Sequence, residues 1–398
     1  MPMGENIIAA TGLAPFFKIS NPDIVGIRPP EIRDGDALQS RIRSLSGFQK
    51  EAIVASARTG LVWRLVSDEG AYLDGHDAAP CPLAFLSAGM AASWMDEILA
   101  LARRQGVEIR HIRLVQDNYY TMKGSMQRRT MVGGALPVEL VVEIDCDLED
   151  AALNQLLMDA VHASPLNGLM RGQLTSLFAL SKNGRELQLG NAAPLLGEIY
   201  PETDARFEGL EAEHSDVDLV GPVGVTPIKE VALGTAAAGS SLADEQNRVL
   251  NIGAVCTLRE DGLKDIVQMQ YSPHGTSFRF LSEPAPADGG KGRAPDANTL
   301  ISAGFGFCFM TQFGRFVSML KLDLPEYRIV QDTFFSLGGA SGGTGEPGRA
   351  DPVETHVYLT TMENDDTARE MLDIAEQTCF LHAFCRTDLK TKLRVRRV

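Results

Sequence analysis

The sequence is poor in cysteine and in positive charge. Six cysteines in 398 residues are too few for a disulfide scaffold, so reduced thiols and a cytoplasmic setting are the expectation. No C-x-x-C occurs and no Cys/His cluster of zinc-ligand spacing, so no metal site is expected. With 37 Lys and Arg against 52 Asp and Glu, the net charge is −15, which argues against nucleic acid or an anionic membrane surface as a partner. No basic segment opens the chain, so no signal peptide is expected. The one Gly-rich run, GGASGGTGEPG (338–348), lacks the G-K-[ST] ending of a phosphate loop. It is read as a flexible hairpin tip, and no cofactor is expected.

What the chain has is apolar sequence without charge. Residues 78–95 and 297–314 are uncharged runs just long enough to raise the question of a membrane span. Both contain Gly and Ser and both are followed at once by charge, Asp96 and Glu97 in one case and Arg315 in the other. Both are read as buried core helices.

The two runs are part of a longer correspondence. Ser93 stands as far before Cys308 as Ser164 does before Cys379. At the same offset RLVQDNYYTM (113–122) meets RIVQDTFFSL (328–337), and PVE recurs at 137–139 and 352–354. A register held without a gap over such a length points to a tandem duplication. Each copy predicts the same order. A buried helix starts near Pro82 or Asp296, where proline and an acidic residue suit a first turn. Two strands rich in branched and aromatic residues follow, then an amphipathic helix (LEDAALNQLLMDAVHAS, NDDTAREMLDIAEQTC) and a last short strand (GQLTSLFAL, TKLRVRRV). Upstream hairpins are expected in 51–70 and 251–283. The length suits two or three domains. The division expected is an N-terminal extension (1–45), a first repeat (46–180), a linking segment (181–245) and a second repeat (246–398).

This order, with LISAGFGFCF (300–309) and AEQTC (375–379), resembles the OsmC/Ohr family of osmotically inducible and organic hydroperoxide resistance proteins. ASPLNGLMRGQL (163–174) resembles that family's second motif with serine in place of cysteine. The resemblance implies an α+β fold in which antiparallel sheets wrap two long buried helices, here as a pseudo-dimer within one chain. It implies a thiol peroxidase with Cys308 peroxidatic and Cys379 resolving, acting on an organic hydroperoxide and restored by a thiol reductant. Oligomers beyond the pseudo-dimer are left open.

A thiol reacts as its thiolate, and Cys308 lies too deep in its helix for the dipole to stabilise one, so a cation is required. The resemblance implies an arginine from an early strand, for which Arg259 is the candidate and Arg58 its counterpart. It also implies a glutamate at the start of the buried helix. Asn298 and Leu83 stand at that spacing, and Asp296 is the nearest substitute. Arg293 and Arg386 are further candidate cations. Phe305, Phe307, Phe309 and Asn298 are expected to line the substrate pocket. His382 is read as structural, Cys81, Cys146 and Cys256 as packing residues, and Cys385 as a spare thiol. Ser93, Ser164 and Arg58 form the expected degenerate site, and no G-x-S-x-G makes Ser93 a hydrolytic nucleophile. The alternative reading is a non-catalytic protein that binds a hydrophobic ligand between the repeats.

Overall fold

The computed structural model describes residues 4–197, 200–201, 205–229 and 240–398. The chain opens with α1 (Ile7–Ala10), β1 (Phe17–Lys18) and α2 (Pro22–Val25), then the meander β2 (Asp36–Ser44), β3 (Lys50–Ser56) and β4 (Val62–Ser67). Next come α3 (Pro82–Arg104), β5 (Ile109–Ser125), β6 (Val132–Ala135), β7 (Val138–Cys146), α4 (Asp150–Ala163), α5 (Leu166–Arg171) and β8 (Leu177–Lys182). The connecting segment adds β9 (Arg185–Leu187), β10 (Ala193–Pro194) and β11 (Val220–Val225). The second half runs through β12 (Glu245–Leu258), β13 (Lys264–Ser272), β14 (Thr276–Ser282), α6 (Ala297–Leu320), β15 (Glu326–Phe335), β16 (Glu354–Thr360), α7 (Asp365–Thr378), α8 (Phe380–Arg386) and β17 (Thr391–Arg397).

These strands make two mixed sheets, and each sheet takes strands from both halves. One has the order β1-β4-β3-β2-β15-β16-β8-β10, with β9 on β8; the other is β11-β14-β13-β12-β5-β7-β17, with β6 on β5. The joins between halves correspond. β2 meets β15 with Leu38 opposite Thr333, and β12 meets β5 with Ile252 opposite Asn118. Each half closes by laying its last strand parallel to the other half's strand pair, β8 on β16 and β17 on β7. The alternation of buried and half-buried residues along β13 shows why such strands form: one face looks into the core and the other outward.

The sheets enclose α3 and α6, which pack on each other. Both are long and apolar enough to cross a membrane by length and composition, yet their apolar windows are 89% and 100% buried inside the protein. Asp296 caps α6 by accepting from the Thr299 N–H, and Pro82 opens α3 at a position where no amide hydrogen is needed. The helices run in opposite senses past one another, and glycine lets them close. A Cβ on Gly89 would lie 2.6 Å from Ile301 Cγ1 and 3.0 Å from the Ala297 carbonyl; one on Gly304 would lie 3.0 Å from Phe85 Cβ and 3.2 Å from Leu86 N. Gly89 and Gly304 stand at the same sequence offset as Ser93 and Cys308, and so do the residues they meet, Leu86 and Ile301.

Two expectations change. Residues 1–45 include β2, a central strand of the first sheet, and residues 181–245 supply β11 to the edge of the second. Asp36, Arg41 and Arg43 disguise β2 in the sequence, because their side chains are satisfied within the sheet and the loops around it. The Gly-rich run 338–348 is not a loose tip. Glu97 accepts from the Ala340 and Ser341 amides at 2.9 and 3.1 Å, and Gly339 and Gly348 donate to the Ala163 and His162 carbonyls at 2.8 Å.

Candidate functional site

Cys308 sits in the fourth turn of α6 and Cys379 at the junction of α7 and α8, and the fold makes them partners. Cys379 lies beside Cys308, close enough for the two sulfurs to act on each other electrostatically. Both thiols are free, and they are 2% and 0% exposed. Burial first, and then the neighbouring Cys308 sulfur, pushes the Cys379 thiol up. The corresponding pair in the first half has the same arrangement in oxygen, with Ser93 Oγ and Ser164 Oγ 2.8 Å apart.

Cys308 borders a narrow cavity of about 30 Å³, with Glu69, Tyr72, Cys81, Arg248, Thr311 and Arg315 among its walls. Arg315 is two helical turns from Cys308 on the same face of α6. Its guanidinium donates to Gln312 Oε1 at 2.7 Å and to the Ser241 carbonyl at 2.9 Å; Arg248 donates to Ser241 Oγ at 2.7 Å. Among the described residues no carboxylate lies within ion-pair distance of either arginine. Burial pulls Arg315 down to about 9, and Arg248 adds to this, while Glu69 and the Cys308 sulfur push back. A guanidinium still carries its charge at neutral pH under that pull. Lys50 is fully buried nearby; burial lowers it, and Glu69, Asp68 and the sulfurs of Cys308 and Cys81 oppose the fall. Glu69 is raised by burial and lowered by Lys50, and it accepts from Thr311 Oγ1 at 3.0 Å and from the Tyr72 hydroxyl at 2.5 Å. Lys50, Arg248 and Arg315 thus gather with Glu69 and Asp68 around the buried Cys308 site.

The expected cation is elsewhere. Arg259 pairs with Asp261 at 2.9 Å in the β12–β13 turn. Arg248 and Arg259 lie at opposite ends of one long strand, separated by roughly 35 Å at about 3.3 Å per residue. The exchange of strands between halves puts that turn beside the first half's serines. Asn298 and Asp296 likewise border the cavity of Ser93, not that of Cys308, as does Arg58. Arg293 pairs with Glu283 at 2.7 Å and Arg386 pairs with Glu376, and neither borders the Cys308 cavity. Phe305, Phe307 and Phe309 are core residues: Phe307 packs on Phe85, and Phe305 and Phe309 flank His382. Phe307 and Phe309 are the immediate neighbours of Cys308 in a helix, so they point off its face, and Phe305 is turned to His382 instead of the cavity. The apolar walls come from Leu73, Leu83, Leu250, Ile252 and Phe380. The His382 ring, lowered to about 3 by burial, has no hydrogen-bond partner among the described residues.

The Ser93 cavity is larger, about 500 Å³, and rich in carboxylates. Lys264 pairs with Asp96 at 2.5 Å, and Arg58 grips Asp288 with two hydrogen bonds of 2.6 and 2.8 Å. Among the described residues no group of three or more His, Cys, Asp or Glu side chains could hold a metal ion.

Residues 290–394 form an OsmC-like domain. The match is to the family model described as OsmC-like protein, and it takes in α6, both strands that follow, α7 and α8, and so Cys308, Arg315 and Cys379. No curated protein matches the chain. The OsmC-like segment thus carries the paired thiols and one guanidinium, while Glu69, Tyr72, Cys81 and Lys50 reach the site from outside it.

Proposed function

We propose that this chain is a thiol peroxidase of the organic hydroperoxide resistance type, built from two fused OsmC-like copies of which only the second does chemistry. The Cys308 thiolate attacks one oxygen of a hydroperoxide, the O–O bond breaks, and the products are an alcohol and a sulfenic acid on Cys308. Cys379 then attacks that sulfur, water leaves, and a Cys308–Cys379 disulfide remains for an external thiol reductant to open. The side-by-side placement of two free, buried thiols from separate helices, with the Arg248 and Arg315 guanidiniums at the same cavity as Cys308, carries this reading. A packing pair needs no unneutralised guanidinium beside it. Duplication is supported by the constant offset that relates Gly89 to Gly304, Ser93 to Cys308 and Ser164 to Cys379. The reading includes work in the cytoplasm on a small organic hydroperoxide, without nucleic acid or membrane as partner.

A second reading, ligand binding without catalysis, draws on the cavity beside Ser93. Its carboxylates favour a polar or cationic molecule over the hydrophobic one expected from the sequence. Consumption of cumene hydroperoxide in the presence of dithiothreitol separates the readings. The parent chain is expected to turn over and Cys308→Ser to be inert. Turnover unaffected by Cys308→Ser removes the peroxidase proposal.

A further inference from the structure

Three of the six cysteines converge on one place. Cys81, the residue before α3, borders the same cavity of about 30 Å³ as Cys308, whereas Cys379 does not border it. Cys379 therefore meets Cys308 from the α7–α8 side and Cys81 from the cavity side. The Tyr120 hydroxyl, raised first by burial, is raised further by the sulfurs of Cys308, Cys81 and Cys379 together. In the register of the repeat the matching positions are Ser93, Asp296 and Ser164, so oxygen replaces all three sulfurs in the other copy of the site. A packing cysteine at 81 has no reason to follow the distribution of the other two. The cavity also holds an unsatisfied donor. Arg248 is 6% exposed, and its Nε has no hydrogen-bond partner among the described residues.

We propose that Cys81 is a second resolving thiol for Cys308, supplied by the opposite half of the chain. This rests on the peroxidase reading above. The sulfenic acid formed on Cys308 is attacked by the Cys81 sulfur. The S–O bond breaks, the Cys81 proton leaves with the sulfenic oxygen as water, and a Cys81–Cys308 disulfide forms. No further oxidant is required. Two routes out of the sulfenic state protect Cys308 from over-oxidation, and the Cys81 route leaves the disulfide facing the cavity.

The test uses the full chain with Cys379→Ser, a change the fold accepts at the matching position, where Ser164 stands. After one equivalent of cumene hydroperoxide and alkylation, peptide mapping is expected to recover Cys308 joined to Cys81. The double variant with Cys81→Ser is expected to keep a sulfenic acid on Cys308, trapped by dimedone, and to pass to sulfinic acid only when a second equivalent is added. In the unmutated chain, equilibration of the oxidised protein is expected to yield some Cys81–Cys308 peptide beside Cys308–Cys379, which tests the proposal without any variant. Dimedone-trapped sulfenic acid on Cys308 with Cys81 fully alkylated in Cys379→Ser overturns the proposal and leaves the peroxidase reading intact. Cys308 unoxidised in every form overturns both.

Discussion

At the scale of single residues, the account turns on charge held out of water. Arg315 has no carboxylate partner among the described residues and shares a helix face with Cys308. A nearby opposite charge biases an ionisation by roughly one to three powers of ten. Arg315→Gln is therefore expected to slow the single-turnover reaction with cumene hydroperoxide by roughly 10- to 100-fold, read by stopped-flow, with Arg315→Lys intermediate; an unchanged rate removes Arg315 from the site. Asp36 offers a separate test at the other cavity. Burial first, and then Asp296, raises it from 3.8 to about 6. The folded state therefore holds this proton more tightly than the unfolded chain. The stability it lends is present below about pH 4 and lost as pH rises through about 6, to the extent of about 3 kcal/mol. His356 acts in the opposite sense: burial lowers it to about 4, so its contribution is present above pH 6.5 and lost as pH falls through 4. Comparing Asp36→Asn with its parent isolates Asp36. Urea unfolding at pH 4 and pH 7 is expected to show the variant losing less stability on the rise by about 1–3 kcal/mol, and parallel pH profiles contradict the assignment. Cys308 and Cys379 were legible in the sequence because their spacing repeats that of Ser93 and Ser164. Arg315 was within reach, since two turns on from Cys308 lead back to the same helix face and it is the first charge after an uncharged run. Glu69 and Cys81 were not, because they come from the other half and only the exchange of strands brings them in.

At the scale of elements, the crossing of α3 and α6 holds both cavities in place. Alanine at a helical glycine ordinarily stabilises by about 1 kcal/mol. At Gly89 the added methyl would meet Ile301 Cγ1 at 2.6 Å and a carbonyl that cannot turn away. Overpacking of this kind costs about 1–3 kcal/mol, so Gly89→Ala is expected to lower the urea midpoint. Gly221→Ala, where a Cβ meets nothing within 4 Å, serves as the control and is expected to stay within about 0.5 kcal/mol of the parent. A rise in stability at Gly89 would mean that the helices do not touch there. The buried helices and the strands after them were readable from apolar runs and alternation, since each carries its own pattern. β2 was not, because its charged and polar residues find partners only after the sheet forms, Gln39 with Asp332 and Arg43 with Glu51. The fixed position of the Gly-rich loop was hidden for the same reason: it depends on Glu97, which lies in the other half of the chain.

At the scale of the whole molecule, each sheet is continuous only because one half completes the other. Strand pairing at β2–β15 and β12–β5 buries backbone groups that neither half can satisfy alone. Segments 4–189 and 240–398, produced separately, are expected to be unfolded or self-associated, and to form a folded one-to-one complex on mixing, followed by circular dichroism and size-exclusion chromatography. A folded monomer of either segment contradicts the interlocked architecture. The repeated spacing in the sequence does not say which strands pair across the two halves, because pairing partners leave no mark in local composition. That exchange is what assembles the Cys308 cavity, and its chemistry can be read directly. The intact chain is treated with one equivalent of cumene hydroperoxide, its free thiols are alkylated, and its peptides are weighed. The account predicts loss of two hydrogens in a peptide pair joining Cys308 to Cys379, and its reversal by dithiothreitol. Recovery of both residues as alkylated thiols would contradict it.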